Sequence, residues 1–391
     1  MVLEFIKQNT MLVALIAVMV LFQILVSLHT NFTASFFSPS NVTNLIAQNG
    51  YVVILASGML LCILTGGNID LSVGSGLAFI GAVAGELMVN HQMNIYLTVI
   101  ICLLIGVALG AWQAFWIAYI RIPPFIVTLA GMLTFRGMAA ILLNGLVISP
   151  FPQNYKRFFN NYLPGGDTAP DMLVPLTLVI GAIVCAAFVI LQVYNRIAKI
   201  RKKYKVESPV IMGVRIVIIC AIIMYVFWLF GHSKGMPVVL ITLAIIVLVY
   251  HYYTSKTVSG RYLYAMGGNE KAAIFSGVDT NKVMFFAYTN MGFLVAVAAL
   301  VCVARFDSAT PGAGNMYELD AIGACFIGGA SAYGGVGTVS GAVIGAIFMG
   351  VLNNGMSLLG VDANWQKTVK GLVLLAAVIM DVVSQKRRNA S

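Results

Sequence analysis

Few residues of this chain could do chemistry. Asp70, Glu86, Arg136 and Asp320 interrupt long apolar runs. A charge inside hydrocarbon is costly alone, so each should find a partner. Arg136 falls twelve residues after Pro124, roughly 18 Å into its segment at 1.5 Å per residue. Glu86 lies fifteen residues after Leu71, at a similar depth from the same side. A Glu86–Arg136 contact is therefore expected, serving either as a packing ion pair or as a relay for substrate or protons. The six cysteines (Cys62, Cys102, Cys185, Cys220, Cys302 and Cys325) all lie in apolar runs without CxxC or Cys/His spacing. They read as small hydrophobes, not as a disulfide framework or a metal site. There is no G-x-x-x-x-G-K-[ST], no H-E-x-x-H and no G-x-S-x-G. No catalytic residue and no cofactor is expected. If ATP drives this protein, a partner must hydrolyse it.

The second group of candidates sits in "LTGGNIDLSVGSG", residues 64–76, where polar residues and four glycines break an oily run. In a membrane, backbone that leaves helical geometry must be buried in protein or line a cavity. Asn68 or Asp70 could cap a helix starting at Leu71, either as a plain turn or as a turn that borders a translocation path. Ser72 and Ser75 belong to the same polar stretch. "GGASAYGGVGTVSG", residues 328–341, holds six glycines in fourteen residues and makes a poor helix but a close-packing surface. Residues 66–82 and 328–346 share a Gly-Gly start, a Val-Gly-Ser/Thr step and an Ile-Gly-Ala end, a weak internal echo.

The elements that position these residues must be membrane helices. Of 391 residues, 60% are hydrophobic and only 9% charged, with mean hydropathy +0.94. A soluble domain would carry roughly 25% charged residues. The apolar runs are continuous and about 18–25 residues long, which fits helices and not alternating barrel strands. The fold expected is all-α, a polytopic helical bundle in one transmembrane domain spanning residues 1–391. About twelve segments are expected: 11–28, 42–64, 71–90, 95–119, 124–143, 172–194, 210–230, 237–253, 282–304, 318–333, 338–360 and 365–383. Some of these are broken or re-entrant at the Gly-rich stretches. The first run lacks an A-x-A-like site and reads as an uncleaved span.

Net charge is +10. Lys and Arg cluster beside spans, as the positive-inside rule requires, with no folded basic domain that would suit nucleic acid. "NRIAKIRKKYK" (195–205), the loop 255–282 and the C-terminal "QKRRNAS" fall on one side with Lys7, so both termini should be cytoplasmic. Residues 144–171 form a long external loop with Lys156, Arg157, Asp167 and Asp171. A loop of that length is usually functional or disordered.

The internal loop carries helix punctuation. In "GGNEKAAIFSGV", residues 267–278, Asn269 suits an N-cap, Glu270 the first turn and Gly277 the C′ position. Gly268, Ala272, Ala273 and Ser276 fall inside or beside the two turns between them. Such a helix could lie on the membrane surface or dock into a partner's groove.

At this point "TGGNIDLSVGS", "PPFIVTLAGMLTFRG", "GRYLYAMGGNEKAAIFSGV", "YELDAIGACFIGGASAYGGVGTVSGAVIGA" and "LNNGMSLLGVDANWQKTVKGLVLLAAVIMDV" carry a resemblance. Together they resemble the permease subunit of bacterial monosaccharide ABC importers, the ribose/xylose/galactose group. The likeness runs from about residue 42 to 383 and is nearest to xylose-type and multiple-sugar permeases. These are similar in having an additional basic loop and helix pair, here 195–253. The resemblance implies a multi-pass protein of the bacterial cytoplasmic membrane, not itself an enzyme. It implies pairing as a homodimer with ABC ATPase subunits and an extracytoplasmic sugar-binding protein that delivers a monosaccharide. By the same resemblance, residues 267–278 would be the coupling helix that docks on the ATPase. Loop 144–171 would contact the binding protein, and Asn68, Asp70, Ser72 and Ser75 would lie near the sugar path. The alternative is an ion-coupled secondary sugar transporter, which would use the few intramembrane charges. A membrane-embedded enzyme or a passive channel has less to recommend it.

Overall fold

The computed structural model describes residues 10–165, 168–204, 206 and 208–390. Lys7, Asp167 and Lys205, which fall in the stretches read above, lie outside the described residues, as do the side chains of the C-terminal basic run. The fold is helical throughout, as composition requires. α1 (Thr10–His29) and α2 (Pro39–Leu64) lead into α3 (Val73–Gly85), which ends in a single π-helical turn, Glu86–Asn90. α4 (Ile95–Ala118) and α5 (Pro124–Leu142) follow. A short α6 (Gln153–Phe159) precedes α7 (Pro170–Arg201), α8 (Pro209–Gly231) and α9 (Val239–Lys256). Two small helices, α10 (Val258–Gly268) and α11 (Glu270–Phe275), lead to α12 (Thr280–Phe306). α13 (Tyr317–Ile327), α14 (Val339–Leu358) and α15 (Ala363–Ala390) complete the chain.

Local sequence accounts for many of these starts. Proline opens α2, α5, α7 and α8, where its missing N–H is not needed. Asn94, Asp279 and Thr338 cap α4, α12 and α14 by accepting backbone N–H bonds. α2 and α12 run through the middle and are largely buried, whereas α1, α7 and α8 face outward for most of their length. α4 and α12 cross closely because Gly106 and Gly110 meet Gly292 backbone to backbone.

Among the described residues ten helices are long and apolar enough to cross a membrane. Two of the twelve expected segments differ. The run 365–383 lies in α15, which is 28 residues long but carries Lys367, Lys370 and Asp381. The run 318–333 is not one span. α13 has only 11 residues, about 16 Å, half a bilayer core. The stretch before it, residues 311–316, is a run of turns in which the Ala313 N–H donates to Thr310 O at 3.1 Å and Gly314 and Met316 take positive φ. Ala309 packs at Gly85, near the outer end of α3, and Gly314 packs against Gly74, eleven residues back along the same helix. The chain thus packs along α3 as irregular backbone before it returns to helix at Tyr317. The basic run 195–201 also differs from expectation: it continues α7 as helix instead of forming a loop.

The long loop 144–171 is ordered where described. Tyr155 of α6 is buried and donates to Leu300 O at 2.7 Å. Lys156 pairs with Asp307 at 2.7 Å, and Asp307 also accepts the Phe151 N–H at 2.8 Å. β1 (Tyr162–Leu163) pairs antiparallel with β2 (Met236–Pro237), tying this loop to the α8–α9 turn.

Candidate functional site

The polar stretch 64–76 packs into the centre of the molecule. Asp70 and Ser72 are both buried. Asp70 Oδ1 accepts from the Ser72 N–H at 2.8 Å and from the Ser72 hydroxyl at 2.7 Å. Ser72 Oγ in turn accepts from Gln113 Nε2 of α4 at 2.6 Å. The helix begins at Val73, and neither Asn68 nor Asp70 caps it by the usual side-chain bond. Asp70 instead closes a turn one residue ahead of it. Asp70, Ser72 and Gln113 border a cavity of about 10 Å³, room for one water but not for a sugar ring. Ser75 Oγ and Gln113 Oε1 are buried without a hydrogen-bond partner. Any path through Asp70 and Ser72 is closed in this conformation.

Asn68 stands apart from that chain. It is half-buried, and its Nδ2 bonds the Thr65 hydroxyl at 3.2 Å. It lines a second, larger cavity of about 420 Å³ between the end of α2, the α4–α5 turn and the α10–α11 loop.

The two glycine-rich stretches that echo each other in sequence meet in space. Gly67 has φ +75°, and a Cβ there would fall on the Ala332 carbonyl. Gly334 packs on Gly66, and Gly335 on Gly267 and Gly268. The Gly335 N–H donates to Leu64 O at 3.2 Å. Three backbone segments therefore touch without intervening side chains: the end of α2, the loop after α13 and the end of α10. The loop after α13 is also held by Asp381 of α15, which accepts the Ala332 N–H at 3.0 Å.

α11 hangs from this junction. Asn269 Oδ1 accepts the Ala272 N–H at 3.0 Å, Ser276 Oγ donates to Ala272 O at 2.9 Å, and Gly277 stops the helix at φ +82°. Ala273 faces inward, whereas Ile274 is half exposed and Phe275 is 90% exposed. Glu270 pairs with Arg121, in the α4–α5 turn, at 2.7 Å. Arg121 also donates to Thr280 at 3.1 Å and to Asn281, both at the start of α12.

The expected Glu86–Arg136 pair does not form. Glu86 accepts from Asn90 at 2.7 Å and faces His91 at 3.4 Å, in the π-helical turn. Arg136 donates to Pro311 O at 2.8 Å and to Ala313 O, and interacts electrostatically with Glu318. The guanidinium thus satisfies carbonyls that the run of turns before α13 leaves without helical partners. A buried ion pair does exist elsewhere. Lys370 of α15 lies 2.9 Å from Asp320 of α13, which also accepts the Tyr51 hydroxyl at 2.8 Å. Asp320 stood out in the sequence, but Lys370, fifty positions away, did not. The signal available was Lys370, with Lys367, inside the largely apolar run 365–383. Gln113 and Arg121 gave no signal beyond being polar.

Ten apolar spans around a broken, glycine-packed centre define a polytopic membrane transport protein. The chain belongs to the family described as branched-chain amino acid transport system / permease component, which matches residues 41–378. It is 38% identical over 379 residues to the xylose transport system permease protein XylH of Escherichia coli (strain K12), covering 96% of this chain and 92% of that one. XylH of Haemophilus influenzae is 35% identical over 377 residues, 96% of each chain. The ribose import permease protein RbsC of Escherichia coli (strain K12) is 34% identical over 369 residues, 94% of this chain and 92% of that one. No solved structure matches.

Proposed function

We propose that this chain is the membrane-spanning permease of an ATP-driven monosaccharide importer in a bacterial cytoplasmic membrane, with xylose or a related sugar as substrate. The observation that carries this reading is likeness along nearly the whole chain to permeases named for xylose and ribose. The sequence contains no phosphate-binding motif of its own, so a separate ABC ATPase supplies the energy. α11 is its docking element: a short capped helix that turns Phe275 and Ile274 outward while Arg121 braces Glu270. A large exposed aromatic on a fixed helix is the kind of anchor that dominates an interface. Two permeases pair, both termini lie in the cytoplasm, and a sugar-binding protein docks outside on the ordered loop 144–171. Asn68, Asp70, Ser72 and Ser75 border the sugar path, which the Ser72–Gln113 bond closes here.

Co-purification of the ATPase with the detergent-solubilised permease tests the reading. Phe275→Glu should weaken association by roughly 2 kcal/mol, about thirtyfold in affinity, with the spans still folded. Full retention of the ATPase would remove α11 from the interface.

A further inference from the structure

We infer that the larger cavity, between the end of α2, the α4–α5 turn and the α10–α11 loop, is a sugar-binding station on the cytoplasmic side. It would hold one neutral monosaccharide as that sugar leaves the permease. The inference rests on the importer reading and adds to it a binding site and the residues that form it.

Size is the first reason. At about 420 Å³ the cavity falls in the range of small-molecule sites, whereas the inner cavity at Asp70 has room for one water. Charge is the second. Arg121 and Glu270 are the two charged residues lining it, and they neutralise each other at 2.7 Å. The walls offer no net charge to attract an anion or a cation. They do offer hydrogen-bonding groups. The Thr65 hydroxyl and the Asn68 amide lie side by side, and Asn68 uses Nδ2 toward Thr65, which leaves its amide oxygen as an acceptor. Gly268 presents bare backbone with open space where a side chain would stand. Met284 supplies an apolar wall for the C–H face of a sugar ring.

Position is the third reason. The lining of the cavity includes both Glu270, the first residue of the docking helix, and Asn68 of the central polar stretch. Movement of α11 by the ATPase would change the shape of this cavity directly. No longer chain of coupling is required.

The test uses the full complex with ATPase and binding protein in proteoliposomes. Asn68→Cys is labelled from the cytoplasmic face with a membrane-impermeant maleimide, against the wild-type chain as background. Xylose should slow labelling in a saturable way, and sodium chloride of equal osmolarity should not. In parallel, Ile122→Trp fills the cavity from the α4–α5 turn, away from α11. Uptake should fall by roughly tenfold, as overfilling a fitted site does, while the ATPase still co-purifies. Labelling of Asn68→Cys that is indifferent to xylose overturns the inference, as does wild-type uptake by an assembled Ile122→Trp complex. If Ile122→Trp does not assemble, the labelling result decides. Wild-type uptake that needs no ATP would instead contradict the importer reading and leave the xylose protection readable.

Discussion

Arg121 and Glu270 join two parts of the chain 149 positions apart, with Nη1 2.7 Å from Oε1. Arg121 lies in the α4–α5 turn, three residues past the end of α4, and α4 carries Gln113, whose amide bonds Ser72 eight residues before Arg121. α4 and the turn that follows it therefore link α11 to the Ser72–Gln113 contact. The pair is about two-fifths exposed, so its contribution to stability is small, about 0–1 kcal/mol. Its value is in positioning. Arg121→Ala should leave thermal stability within about 1 kcal/mol of wild type but lower the sugar moved per ATP hydrolysed. Arg121→Glu combined with Glu270→Arg should recover part of the loss. Uptake and hydrolysis measured in the same proteoliposomes check this, and an unchanged ratio in Arg121→Ala would reduce the pair to surface detail.

The buried Lys370–Asp320 pair should behave differently. Removing one partner leaves an uncompensated charge in the bundle. Asp320→Ala should therefore destabilise by about 3–5 kcal/mol. Replacing both, as Asp320→Leu with Lys370→Met, should cost much less than either single change, because no charge is left alone. Thermal unfolding in detergent separates the cases. Additive losses would mean that the two side chains do not interact.

Two neighbouring glycines give opposite expectations. Gly67 has a positive φ and lies against the Ala332 carbonyl, so Gly67→Ala combines backbone strain with a clash. A loss of at least about 1–3 kcal/mol is expected. Gly268→Ala meets nothing within 4 Å and should change stability by less than about 0.5 kcal/mol. Comparing the two by thermal unfolding tests the three-segment junction, and equal effects would argue against it.

Outside the membrane, Asp307 fixes the long loop. Burial pushes its carboxyl up, but the Lys156 ammonium and the Phe151 N–H outweigh this and hold it below the usual carboxylate range. A depressed folded value means that the contribution to stability is full above the unfolded pKa of about 3.9 and is lost as pH falls through the folded value. Asp307→Asn should therefore melt below wild type at pH 7. The gap should close on acidification below about pH 4. A gap that persists unchanged at low pH would contradict the pairing.

Much of this was legible in the sequence. Hydropathy marks the spans, and Asn269 and Gly277 bracket α11 as its N-cap and C′ residues, with Glu270 in its first turn. The Gly-rich stretches announce irregular backbone, though not that they touch each other. Partner choice was less legible. Arg136 bonds backbone carbonyls, and a carbonyl carries no residue-type signal. The run 318–333 reads as one segment because apolar content does not distinguish a short helix followed by a glycine loop from a span. Ser72 and Gln113 meet through helix packing, which no local pattern encodes.

The central claim is tested most directly by xylose uptake into proteoliposomes that hold this chain with its ATPase and sugar-binding protein, with ion gradients collapsed. Uptake that requires ATP on the cytoplasmic side and both partners is the result expected. Uptake by this chain alone, driven by a proton or sodium gradient, would contradict it.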